Sequence, residues 1–469
     1  MQVGGRQQVE LPRPTRTQST GLLFGTLLFA LVLLVDVPGL APEGQRMLAI
    51  FLLAIVLWIT EAVPLVATAV LVILLQVLLI SSEGLLPVGG EALPASRYFA
   101  TLADPVIVLF LGGFLIAQGA AKFDLDRNLA AVLLRPFSSS ARATVLGLMA
   151  ITALLSMFVS NTATTATMFA VVVPVLRALP AGTARTGVAL AIPVAANVGG
   201  IGTPVGSPPN AIALGALSAR GESISFVGWM LLAVPLAVLV LAGAWWFLTR
   251  RFVPQGTPLS LDLDARFDTS PAALVFYAVA AGTILLWLSE PLHGIASTTV
   301  GFVPVVALLA TQVMSGDDLR SIQWPVLWLV AGGIALGVGI GATGMDVWLL
   351  DLLGWERLGQ VLLVGLLAVV AVAFSTVISS SAAANLLIPL ALGIALGVGA
   401  DPVLIAVVVA IACSLAMSLP ISTPPNAIAY ATGEVPTRAL GVTGLAVGAA
   451  GIGLLVLAMP PLWSLMGLP

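Results

Sequence analysis

Two short polar strings lie deep inside apolar stretches of this chain, Ser160-Asn161-Thr162 and Ser379-Ser380-Ser381. Hydroxyl and amide oxygens suit a hard cation such as sodium, and the matching O–H and N–H donors suit the oxygens of a carboxylate or sulfate. Downstream of each string comes a near-identical heptapeptide, Ser-Pro-Pro-Asn-Ala-Ile-Ala at 207–213 and Thr-Pro-Pro-Asn-Ala-Ile-Ala at 423–429. Two adjacent prolines in a helix interior cost roughly 3 kcal/mol each and remove two backbone donors, so each heptapeptide predicts a broken helix. Gly199, Gly200, Gly202 and Gly206 crowd the first break and let backbone approach a ligand closely. A half-helix that ends at such a break offers carbonyls to a cation. The one that restarts offers N–H groups and a positive dipole end to an anion. Asn210 and Asn426, one position past their proline pairs, are placed to bind the freed backbone groups. No Lys or Arg lies in either string or either heptapeptide. An anion held here needs its charge balanced by helix ends and co-bound cations, which couples anion binding to cation binding. A lone serine or threonine in an apolar helix usually bonds back to its own helix; the pairing of two polar strings with two proline breaks favours a site.

The elements that must carry these residues are membrane helices. Of 469 residues 59% are hydrophobic and only 8% are charged, against about 25% charged in a soluble domain. The composition and the run lengths predict an all-α integral membrane protein with about eleven transmembrane helices. The spans fall near 21–36, 45–61, 63–81, 104–121, 186–218 (broken), 224–248, 272–290, 297–314, 324–342, 402–432 (broken) and 438–465. The run at 21–35 competes with a signal peptide but lacks a convincing small-x-small cleavage site after it. Stretches 143–177 and 360–397 are too long for one crossing and carry the polar strings near their middles, so each reads as a re-entrant helical hairpin. Cys413 is the only cysteine and His293 the only histidine, which excludes an intrachain disulfide and leaves His293 as a loop residue. An intramembrane hydrolase lacks a general base beside either serine string. No resident cofactor, no enzyme activity and no nucleic-acid role follows from these residues. Glu61 and Glu290 at span ends read as structural, and 122–137 (KFDLDRNLAAVLLRPF) as an interfacial helix.

The two halves are copies. DPVIVLFLGGFLIAQG at 104–119 overlays WPVLWLVAGGIALGVG at 324–339, WITE at 58–61 overlays WLSE at 287–290, and both the polar strings and the proline pairs fall in the same order. Five crossings between Glu61 and Glu290 make the second copy inverted relative to the first. Inverted copies with matched broken helices are the architecture of secondary transporters, with the ligand site near the midplane. The expected organisation is a cytoplasmic tail at 1–20, a first half at 21–248 (hairpin 143–177, broken helix 186–218), a cytoplasmic loop at 249–271, and a second half at 272–469 (hairpin 360–397, broken helix 402–432). Arg6, Arg13, Arg16, Arg127, Arg135, Arg142, Arg177, Arg185, Arg250 and Arg251 then share one side, which the positive-inside rule makes cytoplasmic. Arg220 is an exception, and the C-terminus is external in a cell inner (plasma) membrane.

At WITEAVP, FLGGFL, SNTAT, GSPPNAI and TPPNAI the chain resembles the divalent anion:sodium symporter family, the dicarboxylate, citrate and sulfate carriers of solute carrier family 13. The likeness runs from WITEAVP to the last span. It implies a homodimer in the lipid bilayer whose transport domains, carrying the hairpins and broken helices, slide as elevators against a scaffold. It implies one sodium site at Ser156, Ser160, Asn161 and Gly206, and a second at Ser375, Ser379, Ser380 and Ser422. It places substrate against Ser160, Asn161, Thr162, Ser379, Ser380, Ser381 and Thr423, with Pro424 nearby. The chain departs from the family in its second string, Ser-Ser-Ser where Ser-Asn-Thr is usual, and in the spacing from string to helix proline, Ser160 to Pro174 against Ser379 to Pro389. The function expected is sodium-coupled symport of a small divalent anion, a C4-dicarboxylate such as succinate. The alternatives are a dicarboxylate or citrate exchanger, a proton-linked carrier, sulfate or another oxyanion as substrate, and a passive channel.

Overall fold

A computed structural model describes residues 15–467 apart from 90–91, 138–139, 180–181, 255–264 and 354–358. Arg6, Arg13, most of the 1–20 tail and the middle of the 249–271 loop therefore lie outside the described residues. The described chain is helical, with no strand. Nine helices among the described residues are long and apolar enough to cross a membrane. Two of them, Ala141–Phe158 and Ser380–Val398, are hairpin arms. The spans expected at 63–81 and 297–314 are shorter than a full crossing: Leu65–Leu79 has 15 residues, and the second divides into Ser297–Val300 and Phe302–Ala310. Hydropathy reads the apolar run. The helix ends are decided by Pro64 and Ile80 in the first case and by the turn at Gly301 in the second.

A series of elements runs through the first half and recurs in order in the second. Pro42–Thr60, Leu65–Leu79, Pro105–Lys122, Leu125–Leu134, the hairpin Ala141–Phe158 with Asn161–Ala178, the broken pair Thr183–Gly200 with Pro208–Ser218, and Phe226–Arg251 make the first copy. Pro271–Leu288, the Ser297–Ala310 pair, Trp324–Ala342, Met345–Leu353, the hairpin Gln360–Val377 with Ser380–Val398, the broken pair Pro402–Leu415 with Pro424–Ala431, and Thr437–Gly453 make the second. The matched tryptophans of WITE and WLSE do the same work in each. Trp58 Nε1 donates to Leu65 O at 3.1 Å and Trp287 Nε1 to Ser297 O at 3.0 Å. Each is buried and ties the end of one helix to the start of the next, which satisfies a carbonyl that has no water to turn to.

The copies interlock. Pro208–Ser218 packs on the second hairpin's arm Ser380–Val398 and on Pro402–Leu415, while Pro424–Ala431 packs on the first hairpin's arm Asn161–Ala178 and on Thr183–Gly200. Small residues allow these approaches. A Cβ on Gly112 would fall 2.3 Å from Gly301 O, and one on Gly332 2.5 Å from Ala69 Cβ. The two glycine pairs of the repeat are thus packing positions. Arg220, the exception to the charge rule, pairs with Asp346 at 3.3 Å and is largely shielded. It joins the end of Pro208–Ser218 to Met345–Leu353. Arg185 pairs with Glu434 at 3.3 Å across the other exchange of elements. Glu290 accepts from Phe226 N at 2.8 Å and Ser297 N at 3.3 Å, a capping role that matches its structural reading. Asp126, on the 122–137 segment, is buried and accepts from Thr167 Oγ1 at 2.6 Å, so that segment's charged face is partly a packing contact with the first hairpin.

Candidate functional site

The proline pairs do not break helices from within. They start them. Pro208 and Pro209 occupy the first two helical positions after Ser207, and Pro424 and Pro425 the same positions after Thr423, where a missing N–H costs nothing and the fixed φ is already helical. The expectation that the restarting half-helices offer N–H groups is corrected accordingly. Their first two positions carry none, and the third, Asn210 or Asn426, returns its N–H to Ser207 O or Thr423 O at 3.1 Å in both cases. What each restart presents is a dipole end and a hydroxyl.

The breaks themselves, 201–207 and 416–423, are closed by the two asparagines. Asn210 Nδ2 donates to Gly200 O and Thr203 O, both at 2.8 Å, and Asn426 Nδ2 to Met417 O at 2.8 Å and Leu419 O at 3.0 Å. The two side chains are 0% and 1% exposed. Carbonyls freed at membrane depth need such donors. A hydroxyl from each break also reaches back to its hairpin, Thr203 to Met157 O and Ser422 Oγ to Thr376 O at 3.0 Å.

The hairpin turns are built alike. Ser160 and Ser379 cap the second arms, with Ala163 N donating to Ser160 Oγ at 3.2 Å and Ala382 N to Ser379 Oγ at 3.3 Å, a contribution of about 1 kcal/mol each. Behind the turns Ser156 Oγ donates to Ala196 O at 2.8 Å and Ser375 Oγ to Cys413 O at 2.6 Å. The amide orientation that satisfies Asn161 turns its Nδ2 to Gly206 O at 3.0 Å and Ala196 O at 3.3 Å, beside Ser156 Oγ. In the second copy, where Ser380 has no amide, its backbone N faces Ser422 O at 3.4 Å. Ser156, Asn161 and Gly206 therefore form one oxygen-rich cluster, with Ser160 the cap beside it. Ser380 and Ser422 make the corresponding contact in the second half, poorer by one amide, with Ser379 the cap and Ser375 tied to Cys413 O.

Both clusters border one cavity of about 110 Å³. Ser160, Asn161, Thr162, Gly206, Ser380, Ser381, Thr423 and Pro424 line it, while Ser379 does not and Ser156, Ser375 and Ser422 lie behind it. Thr423 Oγ1 is buried without a partner among the described residues. Residues that sequence reasoning missed also line the cavity. Among them, Asn197 and Ser414 come from the first half-helices, and Phe110 and Gln323 from Pro105–Lys122 and the cap of Trp324–Ala342. Gln323 Nε2 lies 3.4 Å from Ser160 Oγ. Their signal was the repeat itself, since Phe110 lies within the anchor 104–119 and Gln323 borders 324–339, but those anchors read only as helix packing. No lining residue is a carboxylate, lysine, arginine or histidine.

Four helix starts, at Asn161, Pro208, Ser380 and Pro424, thus meet around a cavity lined by no charged side chain. The description of a citrate transporter family (CitMHS) matches residues 55–412. The chain belongs to the citrate transporter family. Its likeness to divalent anion:sodium symporters, drawn from the motifs, agrees with that membership, and as a family member it is a membrane transporter and not an enzyme. It is 29% identical to the sodium-dependent dicarboxylate transporter SdcS of Staphylococcus saprophyticus, over 94% of this chain and 91% of that one. It is 28% identical to SdcS of Staphylococcus aureus, over 91% and 88%. Among solved structures it is similar in fold to the YdaH transporter of Alcanivorax borkumensis, with a TM-score of 0.60 and 16% identity over 97% of this chain and 99% of that one. It is also similar to MtrF of Neisseria gonorrhoeae, with 0.52 and 14% over 92% and 96%.

Proposed function

We propose that this family member is a sodium-coupled symporter of a small divalent anion, a C4-dicarboxylate such as succinate. The observation that carries this is the convergence of four helix N-termini on one cavity lined by no charged side chain. Each N-terminus lends a partial positive charge, less at the two proline starts, whose first two positions carry no N–H, and co-bound sodium ions supply the remainder that a dianion needs. Substrate oxygens meet Ser160, Asn161, Thr162, Ser380, Ser381 and Thr423. The two oxygen clusters take sodium: a cation between Ser156 Oγ, Ala196 O and Gly206 O replaces the amide nitrogen of Asn161 there, with that amide turned to present its oxygen. The SdcS relatives, sodium-dependent dicarboxylate transporters, support both sodium and dicarboxylate.

The family resemblance supports the rest of the reading, namely inverted copies, an elevator-type movement, a homodimer, and an inner (plasma) membrane location with the N-terminus cytoplasmic and the C-terminus external. The test is uptake of radiolabelled succinate into proteoliposomes with and without an inward sodium gradient, with sulfate and citrate as competitors. Uptake is expected only with the gradient. Uptake that needs internal counter-substrate and ignores sodium overturns the coupling, and sulfate outcompeting succinate overturns the substrate.

A further inference from the structure

Asn197 lies in the last turn of Thr183–Gly200, is 2% exposed, and lines the cavity. Its Nδ2 donates to Asn426 Oδ1 at 3.1 Å. A chain of obligations dictates that orientation. Asn426 Nδ2 is committed to the carbonyls of Met417 and Leu419, which only accept. Asn426 must therefore turn Oδ1 toward Asn197, and Asn197 must answer with Nδ2. Its own Oδ1 is left over, and no described residue donates to it. An amide oxygen offers acceptance only, so at Asn197 the cavity holds a fixed acceptor, beside the amides of Asn161 and Gln323 and hydroxyls that can turn either way. An unsubstituted dicarboxylate at neutral pH has no donor to give it, and a carboxylate oxygen set against it is repelled.

We propose that Asn197 is a specificity-determining residue that accepts a hydrogen bond from the hydroxyl of a 2-hydroxydicarboxylate. This deepens the symporter reading above and rests on it. The second hairpin turn fits the same substrate. Ser380 and Ser381 line the cavity with short side chains where the first turn has Asn161 and Thr162, which leaves space for a substituent on the carbon chain. A site that pairs a substrate O–H discriminates against the analogue lacking it, because its polar group is then buried unpaired.

The experiment uses the full chain in proteoliposomes at saturating sodium and compares 2-hydroxysuccinate, succinate and 2-fluorosuccinate as inhibitors of labelled succinate uptake. Fluorine is of similar size to the hydroxyl but has no proton to give. In the wild type 2-hydroxysuccinate is expected to inhibit about tenfold more tightly than either of the others. Asn197→Ala is expected to erase that gap, bringing the three inhibitors within about twofold of one another. Equal inhibition by all three in the wild type overturns the inference without any variant, so a variant that fails to fold does not protect it. A variant that weakens all three alike, or that shifts the sodium activation curve instead, overturns it too, the latter making Asn197 a cation ligand. Sodium-driven succinate uptake indifferent to the hydroxyl removes this inference alone. Absence of any sodium-driven dicarboxylate uptake removes the symporter reading and this one together.

Discussion

Asn161 is held by a missing atom. A Cβ on Gly200 would fall 2.3 Å from the Asn161 amide, and one on Gly206 would fall 2.6 Å from Gly200 O. The glycines of the first break therefore let the hairpin turn press directly onto backbone, which brings Ser156, Asn161 and Gly206 into one cluster. Gly200→Ala should push the amide out and copy Asn161→Ala. Both variants are expected to raise the sodium concentration for half-maximal uptake about tenfold, on the scale of one hydrogen bond to a charged partner. Sodium activation curves check this. If Gly200→Ala leaves the curve unchanged, the amide does not serve sodium from that position. The polar strings were legible because hydroxyls and amides are conspicuous in an apolar chain. Asn197 was not, because a single asparagine eleven residues before the Pro208-Pro209 pair gives no hint that it faces a second asparagine 229 positions away.

At the scale of the element, the two breaks survive at membrane depth because Asn210 and Asn426 each satisfy two carbonyls. The sequence position of these asparagines pointed to the role, and the hydrogen bonds show which carbonyls they serve. Asn210→Ala or Asn426→Ala leaves buried acceptors unpaired, at a cost of about 1–3 kcal/mol. Thermal unfolding of the detergent-purified protein should show each variant lowered in Tm, with Asn426→Ala also freeing Asn197 and so disturbing substrate selectivity, which Asn210→Ala should spare. A pair of variants that lower stability and alter selectivity alike would contradict that separation. The broken helices expected at the proline pairs are there, and only the N–H groups expected of the restarts are not, for a physical reason. Proline is costly inside a helix and harmless at its first turn, and only the observed helix start decides which position it occupies.

At the scale of the molecule, each half-helix that follows a break packs against the hairpin of the other copy, and Arg220–Asp346 and Arg185–Glu434 join these exchanged elements. Both halves line the one cavity. The proposed inversion places the bases of the two hairpins on opposite faces of the membrane. In a Cys413→Ala background, which keeps the carbonyl that accepts from Ser375, Ser140→Cys and Gly359→Cys stand at exposed positions beside those bases. A membrane-impermeant thiol reagent is expected to label Ser140→Cys from the cytoplasm and Gly359→Cys from outside. Labelling of both from one face sinks the inversion.

Class and membrane character followed from composition and run length, since backbone in lipid is satisfied only in helices or closed barrels and apolar runs near 20 residues select helices. The duplicated organisation followed from strings long enough to align, and the polar turns from residue types that have no business in hydrocarbon unless partnered. Which oxygens meet around one cavity, which helix start each proline occupies, and which way each buried amide faces were settled by the tertiary structure alone. The partners range from the same break, as for Asn210 and Gly200, to the far half of the chain, as for Asn197 and Asn426. Hydrogen-bond obligations pass from one partner to the next, and a linear string carries no record of who the partners are.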